Sequence, residues 1–160
     1  MKLFFLLVCS FFFISCSQTF YVVRHAEKTG PPTGTMITDV PLTEGGKQRA
    51  EKLKDILKGR KIGLIYSTNM IRTMATAEPT ANYFKLSTNI YGPRPDSAFI
   101  NLLKSKKENI LIVGHSNTVD DIVNMLCDEK KLTDLDEAVY DNLFIIKRKG
   151  RKFIFRNDKF

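Results

Sequence analysis

Two histidines and two arginines are the residues of this sequence whose types and spacing could do chemistry. The chain contains two histidines, His25 and His115, and each follows a short apolar segment by two residues. Arg24 directly precedes His25, and Arg72 opens an amphipathic segment between the two histidines. Like charges gathered in one place repel each other, whereas guanidinium groups bind a phosphate group with paired hydrogen bonds. If the fold brings these four residues together, they form a pocket for a phosphate group.

The nucleophile expected in such a pocket is a histidine. Positive charge from the arginines would lower the pKa of a nearby imidazole and keep it neutral, so that it could attack an electrophile at physiological pH. The alternative for either histidine alone is a structural residue at the end of a strand. A metal site is a further alternative, but two histidines flanked by arginines supply too few neutral or anionic ligands. We therefore predict no metal and no cofactor.

Alternating strands and helices must position these residues. From residue 19 onward, short apolar segments alternate with amphipathic ones, the order typical of an α/β domain with a mainly parallel sheet. Ligand sites form at the carboxyl ends of such strands, so both histidines would face one crevice if their strands are neighbours. The predicted strands are 19–23, 62–66, 85–91 and 109–113, with a closing hairpin at 142–147 and 152–156. The predicted helices are 44–58, 69–84, 95–106 and 116–126, and Pro79 should bend or restart the second of them.

Four sequence blocks resemble the histidine phosphatase superfamily, the clan of phosphoglycerate mutases and acid phosphatases. In the order of the family, they are 22–28 (VVRHAEK), 41–46 (PLTEGG), 66–73 (YSTNMIRT) and 113–116 (VGHS). The chain is most similar to the short branch that includes phosphohistidine phosphatases. The resemblance implies a three-layer α/β/α sandwich with a mainly parallel central sheet, the phosphoglycerate mutase-like fold, over residues 17–160.

The resemblance also implies a role for each matching residue. His25 would attack phosphorus and become transiently phosphorylated, after which water would release phosphate. The phosphate oxygens would be bound by Arg24, Arg72 and His115, with Ser116 or Asn117 as a further donor.

The general acid is open between three carboxylates. Asp96 is the first candidate, because many relatives place a carboxylate after the third strand. Glu27 is the second, although it could instead orient Arg24 or cap the following loop, and Asp39 is the third. If none of them protonates the leaving group, substrates with good leaving groups, such as acyl or histidine phosphates, are favoured. A mutase, for which the chain is short, and a phosphate-binding surface lipoprotein without turnover are the alternative functions.

The first sixteen residues have the composition of an export signal. A positive start precedes the apolar segment 3–14, which is too short to span a bilayer comfortably. Residues 13–16 (FISC) resemble a bacterial lipoprotein cleavage box, with Cys16 as the lipidated residue. We therefore expect a signal peptide over 1–16 and a periplasmic or outer-surface protein held at the membrane by its lipid, with an uncleaved anchor or a plain secretory signal as the alternatives. Only Cys127 would then remain, as a core thiol without a disulfide partner.

The net charge of +8 favours an anionic partner without naming it. The basic clusters at 104–107 and 147–152 are not interleaved with aromatic residues in the pattern of a nucleic-acid site, so we interpret them as solvated faces. The expected partner is a small phosphorylated substrate or a phosphoprotein, and no nucleic acid is expected. The loops at 29–40 and 91–96 would select the substrate.

Overall fold

The computed structural model of the protein describes residues 17–30 and 39–160. In these two ranges, strands and helices alternate as far as the fourth helix, and a hairpin follows. The strands are β1 (Gln18–Arg24), β2 (Ile62–Ser67), β3 (Thr88–Ile90), β4 (Asn109–Gly114), β5 (Asn142–Lys149) and β6 (Lys152–Lys159). The helices are α1 (Glu44–Leu57), α2 (Ile71–Phe84), α3 (Ser97–Ser105) and α4 (Ser116–Cys127). Each predicted element is present, although β3 is shorter than expected and the hairpin strands are longer.

All six strands form one sheet in the order β3-β2-β4-β1-β5-β6. The first four strands in this order run parallel, whereas β5 and β6 are antiparallel to their neighbours. The mainly parallel sheet is therefore confirmed. β1 and β4 are direct neighbours, and their last residues, Arg24 and Gly114, lie opposite each other. The two histidine-bearing strand ends thus meet at the centre of the sheet.

Helices cover both faces of the sheet. In β1, Phe20 and Val22 pack on the side of α3 and α4, whereas Tyr21 and Val23 pack on the side of α1 and α2. The same alternation occurs in β4. Strands buried on both faces in this way are typical of parallel sheets in α/β proteins, and they explain the continuous apolar segments of the sequence. The predicted three-layer α/β/α arrangement is therefore confirmed.

Helix α2 runs without a break from Ile71 to Phe84, with Pro79 inside it. Of the two expected effects of Pro79, the restart is therefore wrong, and the bend stays a prediction. The helix tolerates the proline because packing of one face against the sheet, through Ala77 and Ala81, stabilises it independently of each single backbone hydrogen bond.

The export signal predicted over 1–16, with Cys16, lies outside the described residues, as does most of the loop 29–40. Within the described ranges, no helix is long and apolar enough to cross a membrane. Cys127 ends α4 and packs half-buried against the core, and burial raises the pKa of its thiol.

Candidate active site

The two histidines meet at the carboxyl ends of β1 and β4. The backbone N–H of His25 donates to the Gly114 carbonyl at 2.9 Å, which continues the strand pairing by one residue. His115 occupies the N-cap of α4. The ring centroids lie 5.5 Å apart, and the two residues are only 3% and 5% exposed. The two imidazoles thus lie side by side after neighbouring parallel strands, as their positions in the sequence predicted.

A hydrogen bond to a carbonyl fixes the tautomer of His25. Its Nδ1 lies 2.7 Å from the carbonyl oxygen of Ala26. Because a carbonyl only accepts, Nδ1 carries the proton, and Nε2 keeps a lone pair. Burial lowers the pKa of His25 to about 3 despite that hydrogen bond, and the charges of Arg24, His115 and Arg72 lower it too. The ring is therefore neutral at physiological pH.

The hydroxyl groups of two threonines fix His115 in the opposite tautomer. Thr73 Oγ1 lies 2.9 Å from the Thr68 carbonyl and 3.0 Å from the Met70 carbonyl, so its single proton goes to a carbonyl. Thr68 Oγ1 must then donate to Thr73 and accept from Nε2 of His115, 2.9 Å away. Burial and the charge of Arg72 lower the pKa of His115 to about 4.

Arg72 enters the pocket from the first turn of α2, where Asp39 holds it. The residue is buried, and its Nη1 lies 3.6 Å from Asp39 Oδ1. Both carboxylate oxygens of Asp39 also accept from the N–H of Ile71, at 2.8 and 3.0 Å, and so cap α2. Burial lowers the pKa of Arg72, Asp39 opposes that shift, and the charge of Arg24 adds to it. The positive charges of the two guanidinium groups therefore lie close enough to repel each other in one pocket.

Arg24 is held by the loop between α4 and β5. Its Nη2 lies 2.6 Å from a carboxylate oxygen of Glu137, and its Nη1 donates to the Glu137 carbonyl at 2.8 Å. The Tyr140 ring stacks on the guanidinium, 4.1 Å from its carbon to the ring centroid. The second carboxylate oxygen of Glu137 accepts from the hydroxyl of Ser116. A carboxylate thus occupies two of the groups predicted to bind phosphate.

Sequence reasoning missed Glu137. The residue lies 113 positions after Arg24, in a loop without helix or strand, so neither periodicity nor a motif connects the two. The one available signal was the acidic character of residues 134–141 in a strongly basic chain.

Glu27 pairs with Arg49, and its expected alternative contact with Arg24 is not formed. Arg49 donates to both carboxylate oxygens of Glu27, with Nη2 to Oε1 at 2.6 Å and Nε to Oε2 at 2.9 Å. Burial raises the pKa of Glu27, but the hydrogen bonds from Arg49 outweigh it, so the net shift is downward. The Glu27 carbonyl accepts from the N–H of Thr43 at 2.9 Å and so ties together the two ends of the intervening loop.

Asp96 and Asn117 lie at helix starts. Asp96 is the N-cap of α3, and its Oδ1 accepts from the N–H of Phe99 at 2.8 Å, which explains the residue without a catalytic role. Asn117 is the second residue of α4 and is exposed. The catalytic role of Asp96 and the binding role of Asn117 stay predictions. Asp39, in contrast, contacts a pocket arginine.

Comparison with known proteins identifies the fold and the motifs. Residues 20–91 match the model of the histidine phosphatase superfamily (branch 1). This segment contains Arg24, His25 and Arg72 in the expected order. Residues 20–91 thus have the sequence pattern of the histidine phosphatase superfamily. No curated protein matches the chain by sequence.

Solved structures of the histidine phosphatase fold match nearly the whole chain. The protein histidine phosphatase SixA, in complex with tungstate, has a TM-score of 0.68 and 19% identity, over 89% of this chain and 97% of its own. Phosphoserine phosphatase from Entamoeba histolytica has a TM-score of 0.68 and 14% identity, over 89% and 98%. Mycobacterial glucosyl-3-phosphoglycerate phosphatase has a TM-score of 0.65 and 13% identity, over 90% and 98%. At these identities the likeness shows the fold.

In this histidine phosphatase fold, the pocket joins two guanidinium groups to two imidazoles, one of which has a free Nε2 lone pair. Within residues 17–30 and 39–160, no group of three or more His, Cys, Asp and Glu residues could hold a metal ion. The chemistry that the described side chains offer is the binding of an oxyanion next to a nitrogen nucleophile.

Proposed function

We propose that the protein is a phosphatase that hydrolyses a phosphomonoester or another phosphorylated substrate through a phosphohistidine on His25. The observation that supports this most strongly is the Nδ1 hydrogen bond to the Ala26 carbonyl, 2.7 Å long. It leaves Nε2 unprotonated, on a ring whose pKa burial lowers to about 3. A neutral imidazole among cationic groups is suited to attack a bound phosphate group.

The proposed reaction has two steps. In the first, Nε2 of His25 forms a bond to phosphorus while the bond from phosphorus to the leaving oxygen breaks, and that oxygen takes up a proton. In the second, water attacks phosphorus and gives a proton to the group that protonated the leaving oxygen, the P–N bond breaks, and the electron pair of that bond returns to Nε2. Arg24 and Arg72 stabilise the charge on the phosphate oxygens in both steps, and His115 joins them by turning its Nε2–H from Thr68 to a phosphate oxygen. The arginines supply the positive charge, so the proposed reaction requires no metal.

Asp39 is the carboxylate that the geometry favours as proton donor to the leaving oxygen. It lies beside Arg72, and its charge raises the pKa of His115. All three candidates are engaged in a helix cap or an ion pair, but the partner of Asp39 is the pocket residue Arg72, whereas Asp96 caps α3 and Glu27 is paired with Arg49. If Asp39 acts in this way, Asp39→Asn should slow the release of alkoxide leaving groups more than that of aryl leaving groups, which need less help from an acid.

Release of phosphate from 4-nitrophenyl phosphate tests the proposed activity. We expect wild type to release phosphate in the presence of EDTA and His25→Ala to release none. If wild type binds phosphate but releases none from acidic to neutral pH, the protein is an anion-binding protein and the proposed activity is wrong.

We also propose that the protein is exported and anchored by a lipid on Cys16. The support is the sequence of residues 1–16, with its positive start, short apolar core and terminal cysteine. Metabolic labelling with an alkyne-tagged fatty acid should label wild type and leave Cys16→Ser unlabelled. Equal labelling of both proteins would contradict lipidation at this residue.

A further inference from the structure

A cavity of about 470 Å³ lies beside the predicted phosphate pocket. Two of its lining residues, Arg72 and His115, also belong to that pocket. The remaining lining comes from the loop after β2 and from the end of β3 with the segment after it. Its apolar side chains are Met70, Ile90, Tyr91 and Pro93.

The wall formed by Tyr91 is fixed to the sheet. The Tyr91 hydroxyl donates to the carbonyl of Val113 at 3.1 Å, and its ring stacks on Phe99 with centroids 4.5 Å apart. Its backbone N–H donates to the Ser67 carbonyl at 3.0 Å, which extends the pairing of β3 with β2 by one residue. This side of the cavity is therefore preformed.

Within residues 17–30 and 39–160, neither a carboxylate nor a lysine lines the cavity, and its polar side chains besides Arg72 and His115 are the neutral Thr68 and Asn69. A charged group that entered would exchange its hydration for few partners, whereas an apolar group would gain from leaving water. The volume lies within the range of small-molecule sites and exceeds the space that one phosphate group needs.

We propose that this cavity receives the part of the substrate that is not transferred, and that this part is uncharged and mainly apolar. The proposal rests on the proposed phosphatase function, because it places the phosphate group on Arg72 and His115. It favours aryl and short alkyl phosphates over substrates that carry a carboxylate or an ammonium group next to the phosphate, such as phosphoserine.

Binding of a series of alkylphosphonates tests the cavity without requiring turnover. Calorimetry with methyl-, ethyl-, propyl- and butylphosphonate should show affinity rising about fourfold for each added methylene. Ile90→Ser should lower this gain in affinity per methylene, the increment, from about fourfold to about twofold or less, because Ile90 lines the cavity. Ile154→Ser is the matched control, since it changes an isoleucine of nearly equal exposure, 50% against 51%, at the opposite edge of the sheet. It should leave the increment unchanged.

Two results would overturn the proposal. One is an affinity that does not depend on chain length, which includes the absence of measurable butylphosphonate binding. The other is tighter binding of 2-amino-3-phosphonopropionate, which carries both charges of phosphoserine, than of propylphosphonate. If Ile90→Ser unfolds, Met70→Gln in the adjoining wall should lower the increment in its place.

The phosphatase assay keeps the two proposals apart. Phosphate release combined with a flat phosphonate series would contradict the apolar site and leave the phosphatase standing. A rising phosphonate series without phosphate release from any ester would support the apolar site and contradict the phosphatase.

Discussion

His25 and His115 occupy equivalent positions after neighbouring parallel strands, yet their surroundings differ. A backbone carbonyl accepts a hydrogen bond from Nδ1–H of His25, whereas a threonine hydroxyl accepts one from Nε2–H of His115. His25 therefore offers Nε2 as a nucleophile, whereas Nε2 of His115 carries a proton that Thr68 accepts in the free protein and that a phosphate oxygen would accept in the complex. The fold places both rings in the pocket. The hydrogen-bond partner of each ring then decides which of its two nitrogens carries the proton, and so whether Nε2 can attack.

The two rings are also held by different means. The segment after His25 is fixed through its backbone, because the N–H of Ala26 donates to Thr76 Oγ1 at 2.9 Å. His115 is held through its side chain, by the chain of hydroxyls that runs through Thr68 to Thr73. The ring nitrogen of His115 therefore depends on a side-chain acceptor, whereas that of His25 depends on a backbone carbonyl.

Replacing the histidines one at a time should separate their roles most clearly. We expect His25→Ala to lower kcat by roughly 10⁴-fold or more, because the attacking atom is lost. We expect His115→Ala to lower it by about 10²- to 10³-fold, as measured when one transition-state donor is removed. Steady-state kinetics with 4-nitrophenyl phosphate would measure both values. Equal losses, or the larger loss in His115→Ala, would reverse the assignment.

The stability of the free protein should fall as the pH drops from 8 to 5. Both histidines have folded-state pKa values, about 3 and about 4, below the ordinary value of 6.5, so in this window the unfolded chain binds protons that the folded protein does not. Between pH 8 and 5, each histidine should therefore lower the free energy of unfolding by on the order of 2 kcal/mol, measured by urea denaturation.

The double variant His25→Asn with His115→Asn provides the control for this pH dependence. Between pH 8 and 5, its free energy of unfolding should fall much less than that of wild type. Saturating tungstate should also reduce the loss in wild type, because a bound dianion stabilises protonated imidazoles. An unchanged pH dependence in the double variant would contradict the lowered pKa values.

Thr68 should act as a positioning residue for His115 alone. We expect Thr68→Val to lower kcat by about tenfold, because His115 loses the acceptor that orients its ring. Thr68→Ser keeps the hydroxyl and should restore most of the activity, with a pH profile like that of wild type. If the serine variant is as slow as the valine variant, the hydroxyl chain does not position His115.

Removing the carboxylate of Glu137 should strengthen oxyanion binding. An incoming phosphate must displace this carboxylate from Arg24, and a half-exposed ion pair of this kind contributes about 1 kcal/mol. Glu137→Gln should therefore bind tungstate roughly fivefold more tightly in calorimetry. Glu129→Gln, which removes a similar exposed pair with Lys131, is the control and should not change the affinity. Weaker binding in Glu137→Gln would show that the carboxylate supports the pocket and does not compete for it.

The central part of the site was predictable from the sequence because its signals are local. Each histidine directly follows an apolar strand, and parallel strands end at one edge of a sheet, so the convergence of His25 and His115 required only that β1 and β4 be neighbours. The α/β/α layers followed in the same way from the alternation of apolar segments.

The carboxylates were less predictable, because each can serve several purposes and tertiary contacts decide between them. Asp96 stands at a helix start, where an aspartate caps the helix as readily as it donates a proton. Glu27 is next to the nucleophile in sequence, but Arg49 from α1 binds it. Glu137 reaches Arg24 through an irregular loop that no periodicity describes.

Direct detection of the phosphorylated enzyme tests the central claim. Wild type would be mixed with a rapidly cleaved aryl phosphate, quenched with base, digested and sequenced by mass spectrometry under conditions that preserve phosphohistidine. We predict an acid-labile, base-stable phosphate on His25, present in His115→Ala and absent in His25→Ala. Phosphate on His115 or on a serine, or phosphate release by His25→Ala at the rate of wild type, would contradict the assignment of His25 as the nucleophile.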